Sequence, residues 1–327
     1  SLEDRVHHFC MLRDAQDDVT HVIARGRPLR LAELAPSPAA AAGILETTSA
    51  VVHDSHVAHV ADIVDRIASG QAQKIVAARA ADLAAPRGCR FSPQATARAL
   101  VEAAPNATTF AFGWGGRAFV GATPERLATK DGLVLSTEAV AGTAADPANL
   151  FSDKETREHA WVVAALREGM TSLSERLWVG PTAARRAGTI HHLVTPMRAA
   201  LAPGHGLLDV VRALHPTPAL GGWPRDVAAD HIARREPLVR GWYGGPVGWI
   251  DGRGDGSFDV AIRCALLAGE RATAFAGGGI VAGSDPEREW QETQAKLAGL
   301  RGALRVVSAE RAAERSVAAD AQTEVAS

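Results

Sequence analysis

Residues 273–296 have the sequence TAFAGGGIVAGSDPEREWQETQAK, and this stretch decides the fold class. It predicts a strand from Thr273 to Ala276, a turn at the three glycines 277–279, and a helix from Asp285 to about Leu304, because glycine runs most often mark turns. Hairpins and helices follow one another along the rest of the chain without regular β-α-β alternation. The sequence therefore predicts an α+β fold rather than a doubly wound sheet.

Composition favours a globular protein that acts on a small molecule. The chain has 327 residues, of which 46% are hydrophobic, enough to bury a large core in one domain or in two closely merged ones. Its formal net charge is -2, from 35 basic and 37 acidic side chains. This balance gives no electrostatic reason to expect a nucleic acid or a membrane surface as a partner.

Cysteine usage and the start of the chain favour a cytoplasmic protein. Cys10, Cys89 and Cys264 are widely spaced and include no CxxC pair, so we expect neither a disulfide framework nor a structural zinc site. No apolar run approaches the roughly 18 residues that a membrane span needs. Residues 1–5, SLEDR, lack the basic and apolar regions of a signal peptide.

Hydrophobic periodicity and turn residues predict the main elements. The predicted helices are 39–45, 51–69, 225–234 and one that starts at Ser152, where Ser152 and Glu155 have the spacing of a capping box. The predicted strands, besides 273–276, are 74–79, the hairpin 108–112 with 117–121, the pair 133–136 with 138–141, and the hairpin 247–250 with 258–267.

Two cationic side chains lie in predicted apolar strands. In the strand 74–79, Lys74 shares a face with Val76 and Ala78, so it points either into a cavity or to solvent. Arg263 interrupts the apolar strand 258–267, where an unpaired charge is costly. It either reaches solvent from a sheet edge or meets a buried anion.

Four glutamates form two pairs with the same spacing on two predicted helices. Glu289 and Glu292, followed by Lys296, project from one face of the last helix, and taken alone they fit a solvated surface with one ion pair. Glu155 and Glu158 repeat the spacing on the earlier helix. Together the two helices can supply oxygen ligands to Mg²⁺, which prefers one or two carboxylates and a substrate anion.

The glycine run 277–279 admits two interpretations. Its backbone N–H groups could bind an anion such as a carboxylate, or the run could be a turn without a ligand. It matches neither GxGxxG nor a P-loop, so we do not expect a nucleotide. Tyr243, the only tyrosine, fits a core position with a satisfied hydroxyl, and His192 beside an apolar pair is more typical of a structural histidine.

Eight ordered motifs resemble those of isochorismate synthases, which belong to the chorismate-utilising enzyme superfamily. The motifs lie within residues 70–304 and are KIVAAR (74–79), TPERL (123–127), TEAVAGT (137–143), HLVTP (192–196), LHPTPA (214–219), WYGGPVG (242–248), FAGGGIV (275–281) and SDPEREWQE (284–292). The resemblance implies an α+β fold of two packed, mostly antiparallel sheets with helices outside and the active site in a cleft.

The resemblance also divides the chain. Residues 1–69 would be the N-terminal part of the fold, shorter than in the family. Residues 70–304 would be the chorismate-binding catalytic region, as a single merged domain, and 305–327 a C-terminal tail.

A magnesium and substrate site is implied in the same way. By resemblance, Glu158 and Glu292 bind Mg²⁺, Glu155 and Glu289 lie close by, and the metal holds the ring carboxylate of chorismate. The positions similar to the family's substrate-binding residues are Gly142, Thr143, His192, Ala219, Tyr243, Arg263, Gly277, Gly279 and Lys296.

The reaction implied by the resemblance needs a base and an acid. Isochorismate synthases add water at C2 of chorismate while the C4 hydroxyl leaves. Lys74 matches the family's base and Glu125 its acid. Lys74 must be neutral to take up a proton, which burial or cationic neighbours favour, and Glu125 must hold a proton, which requires a raised pKa.

Two positions favour isochorismate synthase over its relatives. Enzymes that use ammonia, such as anthranilate synthase, usually have glutamine where Lys74 stands, so we expect a water-using enzyme without a glutaminase subunit, and a monomer. Salicylate synthases, the alternative, go on to eliminate pyruvate and typically have threonine where Ala219 stands. The product would serve menaquinone or catechol-siderophore synthesis.

Three departures from the family pattern are visible. The segment between Gly142 and Glu158 and the N-terminal region are both shorter, and Gly278 replaces a common alanine. A non-catalytic chorismate-binding protein is a further alternative. It would be expected to lose Lys74, Glu125 or one of the four glutamates, and all of them are retained.

Overall fold

The computed structural model of the chain describes residues 50–144, 150–187 and 190–309, together with residue 148 and five short segments nearer the N-terminus (5–6, 10–15, 18–23, 29–30 and 43–46). Of the predicted helix at 39–45, residues 39–42 lie outside these residues, and the described part is not helical, because Leu45 begins a short strand. The part of the predicted tail that follows residue 309 also lies outside them.

The described residues form six helices and twenty strands. The helices are α1 (Ala50–Ala68), α2 (Pro93–Ala103), α3 (Asp153–Thr171), α4 (Leu207–Leu214), α5 (Arg225–Arg235) and α6 (Pro286–Ala303). The strands are β1 (Arg5–Val6), β2 (Cys10–Ala15), β3 (Asp18–Ile23), β4 (Leu29–Arg30), β5 (Leu45–Glu46), β6 (Lys74–Ala84), β7 (Cys89–Phe91), β8 (Thr108–Trp114), β9 (Arg117–Thr123), β10 (Arg126–Asp131), β11 (Val134–Ala144), β12 (Ser174–Val179), β13 (Ala183–Ala187), β14 (Ile190–Leu201), β15 (Gly222–Trp223), β16 (Pro246–Ile250), β17 (Gly256–Val260), β18 (Cys264–Ala268), β19 (Arg271–Val281) and β20 (Val306–Ser308). Among these helices, none has the length and apolar character needed to cross a bilayer.

A nine-stranded antiparallel sheet forms one layer of the fold. Its strand order is β12-β14-β11-β10-β17-β16-β2-β3, with β13 also paired to β14. A buried cluster that includes Leu135, Val162, Leu207 and Phe258 joins this sheet to α3 and α4. Because side chains alternate across a strand, the face opposite this cluster is left for a second layer.

A seven-stranded antiparallel sheet forms the second layer. Its order is β15-β6-β19-β18-β9-β8, with β5 also paired to β6. Leu100 of α2 and Leu300 of α6 belong to a buried cluster with one part of this sheet, and α1 and α5 to a cluster with another. Val247 of the nine-stranded sheet belongs to one buried cluster with Phe119 and Phe275 of the seven-stranded sheet. The predicted α+β fold, two packed antiparallel sheets with helices outside, is confirmed.

The predicted helices and hairpins are largely confirmed. Helix α1 covers the predicted 51–69, α5 the predicted 225–234, and α6 follows Asp285, whose side chain accepts a hydrogen bond from the backbone N–H of Arg288. Strands β8 and β9 form the predicted hairpin. The predicted strand at 74–79 is longer than expected, because β6 pairs with β19 along its whole length.

The predicted turn at the three glycines is wrong. Strand β19 runs through Gly277, Gly278 and Gly279, which pair with Ala78, Ala77 and Val76 of β6. Glycine is required at 277 and 279 because neighbouring side chains occupy the space in which a Cβ would lie. A Cβ on Gly277 would lie 2.7 Å from the hydroxyl oxygen of Tyr243, and one on Gly279 would lie 2.7 Å from Cε of Lys74.

The predicted single strand at 258–267 is also wrong, because the chain changes sheets within it. Strand β17 belongs to the nine-stranded sheet and β18 to the seven-stranded one. Arg263 lies between them with a left-handed backbone, φ 52°. A positive φ is uncommon outside glycine and here turns the chain from one layer to the other.

Three smaller differences concern strands and caps. The predicted pair 133–136 and 138–141 is one strand, β11, which pairs with β10 and β14. Ser152 is the N-cap of α3, but its side chain makes no capping hydrogen bond, so the predicted capping box does not form. Strand β20 pairs with β7, so residues 306–308, which the sequence assigns to a tail, extend the folded region.

Phe258 provides a test of the core between the nine-stranded sheet and its helices. The ring is completely buried. We expect Phe258→Ala to lower the free energy of unfolding by about 3–5 kcal/mol. Phe151→Ala is the matched control, since Phe151 is 58% exposed, and it should change that free energy by less than about 1 kcal/mol. Urea unfolding measures both, and equal losses would contradict this placement of the core.

Candidate active site

Lys74 lies between the two sheets, at the start of β6. Only 2% of the residue is exposed, and Nζ donates a hydrogen bond to Oε1 of Glu158, on α3, at 2.5 Å. The alkyl chain covers Gly279. The lysine is therefore buried, as a base requires, but its partner is a carboxylate rather than a cation.

The edge of β19 beside the glycines is lined with hydrogen-bond donors. Strand β18 pairs with β19 only at 271–274, so it leaves this edge uncovered from Phe275 onward. Nζ of Lys296 donates to the carbonyl oxygen of Gly277 on this edge, at 2.8 Å. Because the N–H and C=O of one residue point to the same side of a strand, the N–H groups of Gly277 and Gly279 point there too. This arrangement suits an anion.

Tyr243 is stacked over the same strand. Its ring lies 5.5 Å from that of Phe275 with an angle of 18° between the planes, and its hydroxyl reaches Gly277. Burial raises the pKa of the Tyr243 hydroxyl. The hydroxyl is therefore a neutral hydrogen-bond donor at any physiological pH.

Glu125 and Arg263 both lie where the chain crosses between the sheets. Glu125 lies between β9 of the seven-stranded sheet and β10 of the nine-stranded one, and its carbonyl oxygen accepts from the N–H of Val260, at 2.9 Å. The carbonyl oxygen of Arg263 accepts from the N–H of Ala122, at 3.2 Å. Glu125 on the first crossover is thus bonded to the end of β17, where the second crossover begins. Arg263 on the second crossover is bonded to the end of β9, where the first begins.

The pKa of the Glu125 carboxyl is shifted in the direction that the predicted role of an acid requires. Burial raises its pKa to about 7, although the positive charges of Lys74, Lys296 and Arg263 act in the opposite direction. The residue as a whole is half-buried. Near neutral pH the carboxyl can therefore hold a proton, as the predicted role of an acid requires.

His192 and Gly142 meet at the end of β11. Nδ1 of His192 lies 3.2 Å from the carbonyl oxygen of Gly142. Burial lowers the pKa of His192, and the charges of Arg263 and Lys296 lower it further, so the ring is neutral. Thr143 pairs with His192 through the backbone across a bulge in the ladder. The side chain of Thr143 lies outside the described residues.

Lys74, Lys296 and Arg263 all lie close enough to Glu125 for their charges to act on it, and the space that these four residues surround is called the cleft below. Three of the four predicted metal ligands lie around this cleft, and one approaches from the other side of β19. Glu158 contacts Lys74, Glu292 pairs with Lys296 at 2.6 Å, and a carboxylate oxygen of Glu155 lies beside Gly142. Oε1 of Glu289 accepts from the hydroxyl of Ser284, at 2.8 Å.

Glu289 reaches Gly278 on the face of β19 opposite Lys74. A Cβ on Gly278 would lie 3.1 Å from its Oε2. Adjacent residues of a strand face opposite ways, so this carboxylate lies on the α6 side of the sheet. In the part of the chain that the structure describes, no three potential ligands converge on one point.

Ala219 precedes β15, the strand that pairs with the start of β6 at Lys74. It belongs to a turn in which the N–H groups of Leu220 and Gly221 donate to the carbonyl oxygen of Thr217. The turn leads into β15, where Trp223 pairs with Lys74. The turn of Ala219 is therefore joined through β15 to β6, the strand of Lys74.

Two residues beside β6 were not predicted from the sequence. Glu236 and Arg240 form a buried ion pair next to Val76 and Ala78. Their spacing of four residues is a signal for an ion pair. It is shared by exposed surface pairs such as Arg98 and Glu102, so the spacing alone could not single them out.

A separate groove of about 770 Å³ runs along a different face of α3. Its lining includes Phe151, Val163 and Leu193 and none of the predicted site residues. The charged and neutral donors described above all lie elsewhere. The cleft between the sheets is therefore the better candidate for chemistry.

Residues 5–305 match the family model described as chorismate binding enzyme. The chain belongs to the chorismate binding enzyme family. This confirms the family that the eight motifs predicted.

Two curated members of the chorismate binding enzyme family illustrate the relationship. The salicylate biosynthesis isochorismate synthase of Pseudomonas aeruginosa is 40% identical over 262 residues, which cover 76% of this chain and 54% of that protein. Isochorismate synthase MenF of Bacillus subtilis is 36% identical over 251 residues, covering 73% and 53%. The chain spans about half the length of these relatives.

A solved structure of the family has the same fold. MenF, the menaquinone-specific isochorismate synthase from Escherichia coli, is similar with a TM-score of 0.71 and 30% sequence identity. The similarity covers 82% of this chain and 65% of that one.

The raised pKa of Glu125 predicts a pH-dependent stability. Below its ordinary pKa of 4.5 the carboxyl is protonated in both the folded and the unfolded chain. As the pH rises toward 7, the unfolded chain ionises first and the folded state loses stability. Glu125→Gln is neutral throughout, so between pH 5 and pH 8 it should gain about 2 kcal/mol in free energy of unfolding relative to wild type. Urea unfolding at both values measures this, and a constant difference would show that the carboxyl is not desolvated.

Proposed function

We propose that this protein is a magnesium-dependent isochorismate synthase that converts chorismate to isochorismate. The observation that carries the proposal is the pair of Lys74 and Glu125 in one cleft, the first buried at the start of β6 and the second with a pKa near 7. The relatives named above as isochorismate synthases support the reaction class.

The charges of the cleft suit a substrate with two carboxylates. Arg263 and Lys296 supply two cations that act together on Glu125 and His192. The N–H groups of Gly277 and Gly279 and the neutral hydroxyl of Tyr243 supply uncharged donors beside them. Charge-assisted hydrogen bonds to carboxylates are the strong ones, so this set can hold both anionic groups of chorismate.

The glutamates fit a magnesium ion by their chemistry. They are hard oxygen donors, and glycine at 279 leaves room for Glu158, because a Cβ there would lie 3.3 Å from Oε1 of Glu158. In the proposal Glu158 and Glu292 hold the ion, with Glu155 and Glu289 close by, partly through water. Bound Mg²⁺ would neutralise and orient the ring carboxylate of chorismate.

Lys74 and Glu125 divide the proton transfers. Lys74 takes a proton from the water whose oxygen forms the new bond at C2, while the ring double bonds shift and the bond from C4 to its hydroxyl oxygen breaks. Glu125 gives its proton to that oxygen, which leaves as water. Lys74 then holds the extra proton and Glu125 the negative charge, and proton return resets the site. One water enters and one leaves, so the product is an isomer of the substrate.

Two positions support isochorismate as the final product. Lys74 in place of glutamine favours water over ammonia, so the proposal includes no glutaminase subunit and a monomeric enzyme. Ala219 in place of threonine favours release of isochorismate before pyruvate is eliminated. The relatives are named for menaquinone and for salicylate biosynthesis, and in this chain the product would serve menaquinone or catechol-siderophore synthesis.

Product identification tests the proposed reaction. We expect the protein, incubated with chorismate and Mg²⁺, to form isochorismate, detected by chromatography. Chelation with EDTA should lower the rate by about 100-fold or more, and added Mg²⁺ should restore it. Salicylate with pyruvate would select salicylate synthase instead, and unchanged chorismate would remove both assignments.

Replacing the proposed base tests its role. Lys74→Ala should lower the rate of isochorismate formation by about 100-fold or more, since a positioned base contributes that much, while binding of chorismate and Mg²⁺ by calorimetry stays largely intact. Lys130→Ala is the matched control, because Lys130 forms a partly buried ion pair with Asp255 away from the cleft. Undiminished turnover in Lys74→Ala would remove Lys74 from the mechanism.

A further inference from the structure

A buried ion pair lies along the edge of β6 that faces away from β19. Nε and Nη2 of Arg240 donate to Oε1 and Oε2 of Glu236, at 2.6 and 2.7 Å. The side chain of Glu236 is 0% exposed and that of Arg240 17%. The parallel contacts fit the planar fork of arginine, which lysine does not have.

The pair takes the place of a strand along this edge. Strand β15 and the residue before it cover β6 as far as Val76, whose N–H donates to the carbonyl oxygen of Gly221, and β5 begins to cover it only at Leu83. Between them, Nη2 of Arg240 donates to the carbonyl oxygen of Val76, and the N–H of Ala78 donates to Oε2 of Glu236, both at 2.9 Å. Backbone groups that a neighbouring strand would satisfy are satisfied by two side chains.

The stretch of β6 held in this way lies directly behind the glycines. Val76 pairs with Gly279 and Ala78 with Gly277 on the opposite edge. Lys74 precedes Val76 by two residues and faces the same side of the sheet. A shift of this stretch would move the base and the anion-binding edge of β19 together.

Arg240 also contacts two further segments of the candidate site. Nη1 donates to the carbonyl oxygen of Leu220, next to Ala219, at 2.8 Å. The backbone carbonyl of Arg240 accepts from the N–H of Tyr243, at 3.0 Å. One arginine therefore connects the strand of Lys74, the turn of Ala219 and the turn of Tyr243.

We propose that Glu236 and Arg240 are positioning residues for the reaction, a role that rests on the proposed function. They act on the substrate through the three segments they connect. The fixed fork of Arg240 sets the distance between β6 and the two turns, and Glu236 supplies the negative charge that allows the guanidinium to be buried. The pair thereby fixes Lys74 relative to the groups that hold the substrate.

Arg240→Lys tests the proposal, because it keeps the charge and loses the fork. At a temperature at which the variant is folded by circular dichroism, kcat/KM for isochorismate formation should fall by about 10- to 100-fold, the effect of a small misplacement of catalytic groups. Arg305→Lys is the matched control, since Arg305 also donates to two backbone carbonyl oxygens, those of Gly302 and Leu304, far from the cleft. We expect it to stay within about twofold of wild type. Retention of wild-type kcat/KM in Arg240→Lys would overturn the proposal.

Amide hydrogen exchange gives a second readout that needs no substrate. In Arg240→Lys the amides of Ala77 and Ala78 should exchange at least about 10-fold faster, while those of β17 keep the wild-type rate. Unchanged exchange at Ala78 would show that the pair does not hold β6. A wild-type protein that forms no isochorismate would instead remove the proposed function, and the exchange rates would still report on the pair.

Glu236→Gln provides the same test if the arginine variant does not fold. Glutamine keeps an oxygen that can accept from Ala78, but it removes the charge opposite Arg240. We expect kcat/KM to fall by about 10-fold with unchanged far-ultraviolet circular dichroism. Activity within twofold of wild type would overturn the positioning role.

Discussion

The pairing of β6 with β19 is the constraint on which the rest of the structure depends. The two strands pair over eleven residues, from Lys74 with Val281 to Ala84 with Arg271. Because Gly277 and Gly279 have no Cβ, the side chains of Lys74 and Tyr243 can lie directly against β19. A lysine buried in this way needs a hydrogen-bond partner, and Glu158 supplies it. The ladder therefore also decides where the first turns of α3 must lie.

The cleft combines two electrostatic demands that oppose each other. An anionic substrate requires cations, and Lys74, Lys296 and Arg263 all lower the pKa of Glu125. An acid requires a protonated carboxyl, and desolvation raises that pKa by more than the three cations lower it. Removal of water from Glu125 is thus as important to the proposed chemistry as the charges around it. The same desolvation keeps Tyr243 and His192 neutral.

The sequence predicts most of the local structure and the family, but not the contacts between distant segments. The helix from Ala50 to Ala68 and the hairpin of β8 and β9 follow from periodicity and turn residues, which act within a few residues of the chain. A glycine run most often marks a turn when only its neighbours in sequence are considered, whereas here the requirement for glycine comes from the distant residues Tyr243 and Lys74. The apolar residues from 258 to 267 give no local sign that the chain changes sheets at Arg263. For the same reason, nothing near Glu236 and Arg240 indicates that they complete an edge of β6.

The two sheet crossovers explain why Glu125, the proposed acid, and Arg263, proposed to bind a substrate carboxylate, lie in the same cleft. A strand that leaves its sheet gives up backbone pairing, so its residues can turn side chains into the space between the layers instead of onto one face. Glu125 lies on the crossover from β9 to β10, and Arg263 on the crossover from β17 to β18. Hydrogen bonds from Val260 to Glu125 and from Ala122 to Arg263 hold the two crossovers side by side. Each crossover carries one of the proposed site residues and is hydrogen-bonded to a strand that leads into the other. The cleft therefore lies where the chain crosses from one sheet to the other, and a shift of one crossover is expected to displace the residue that the other carries.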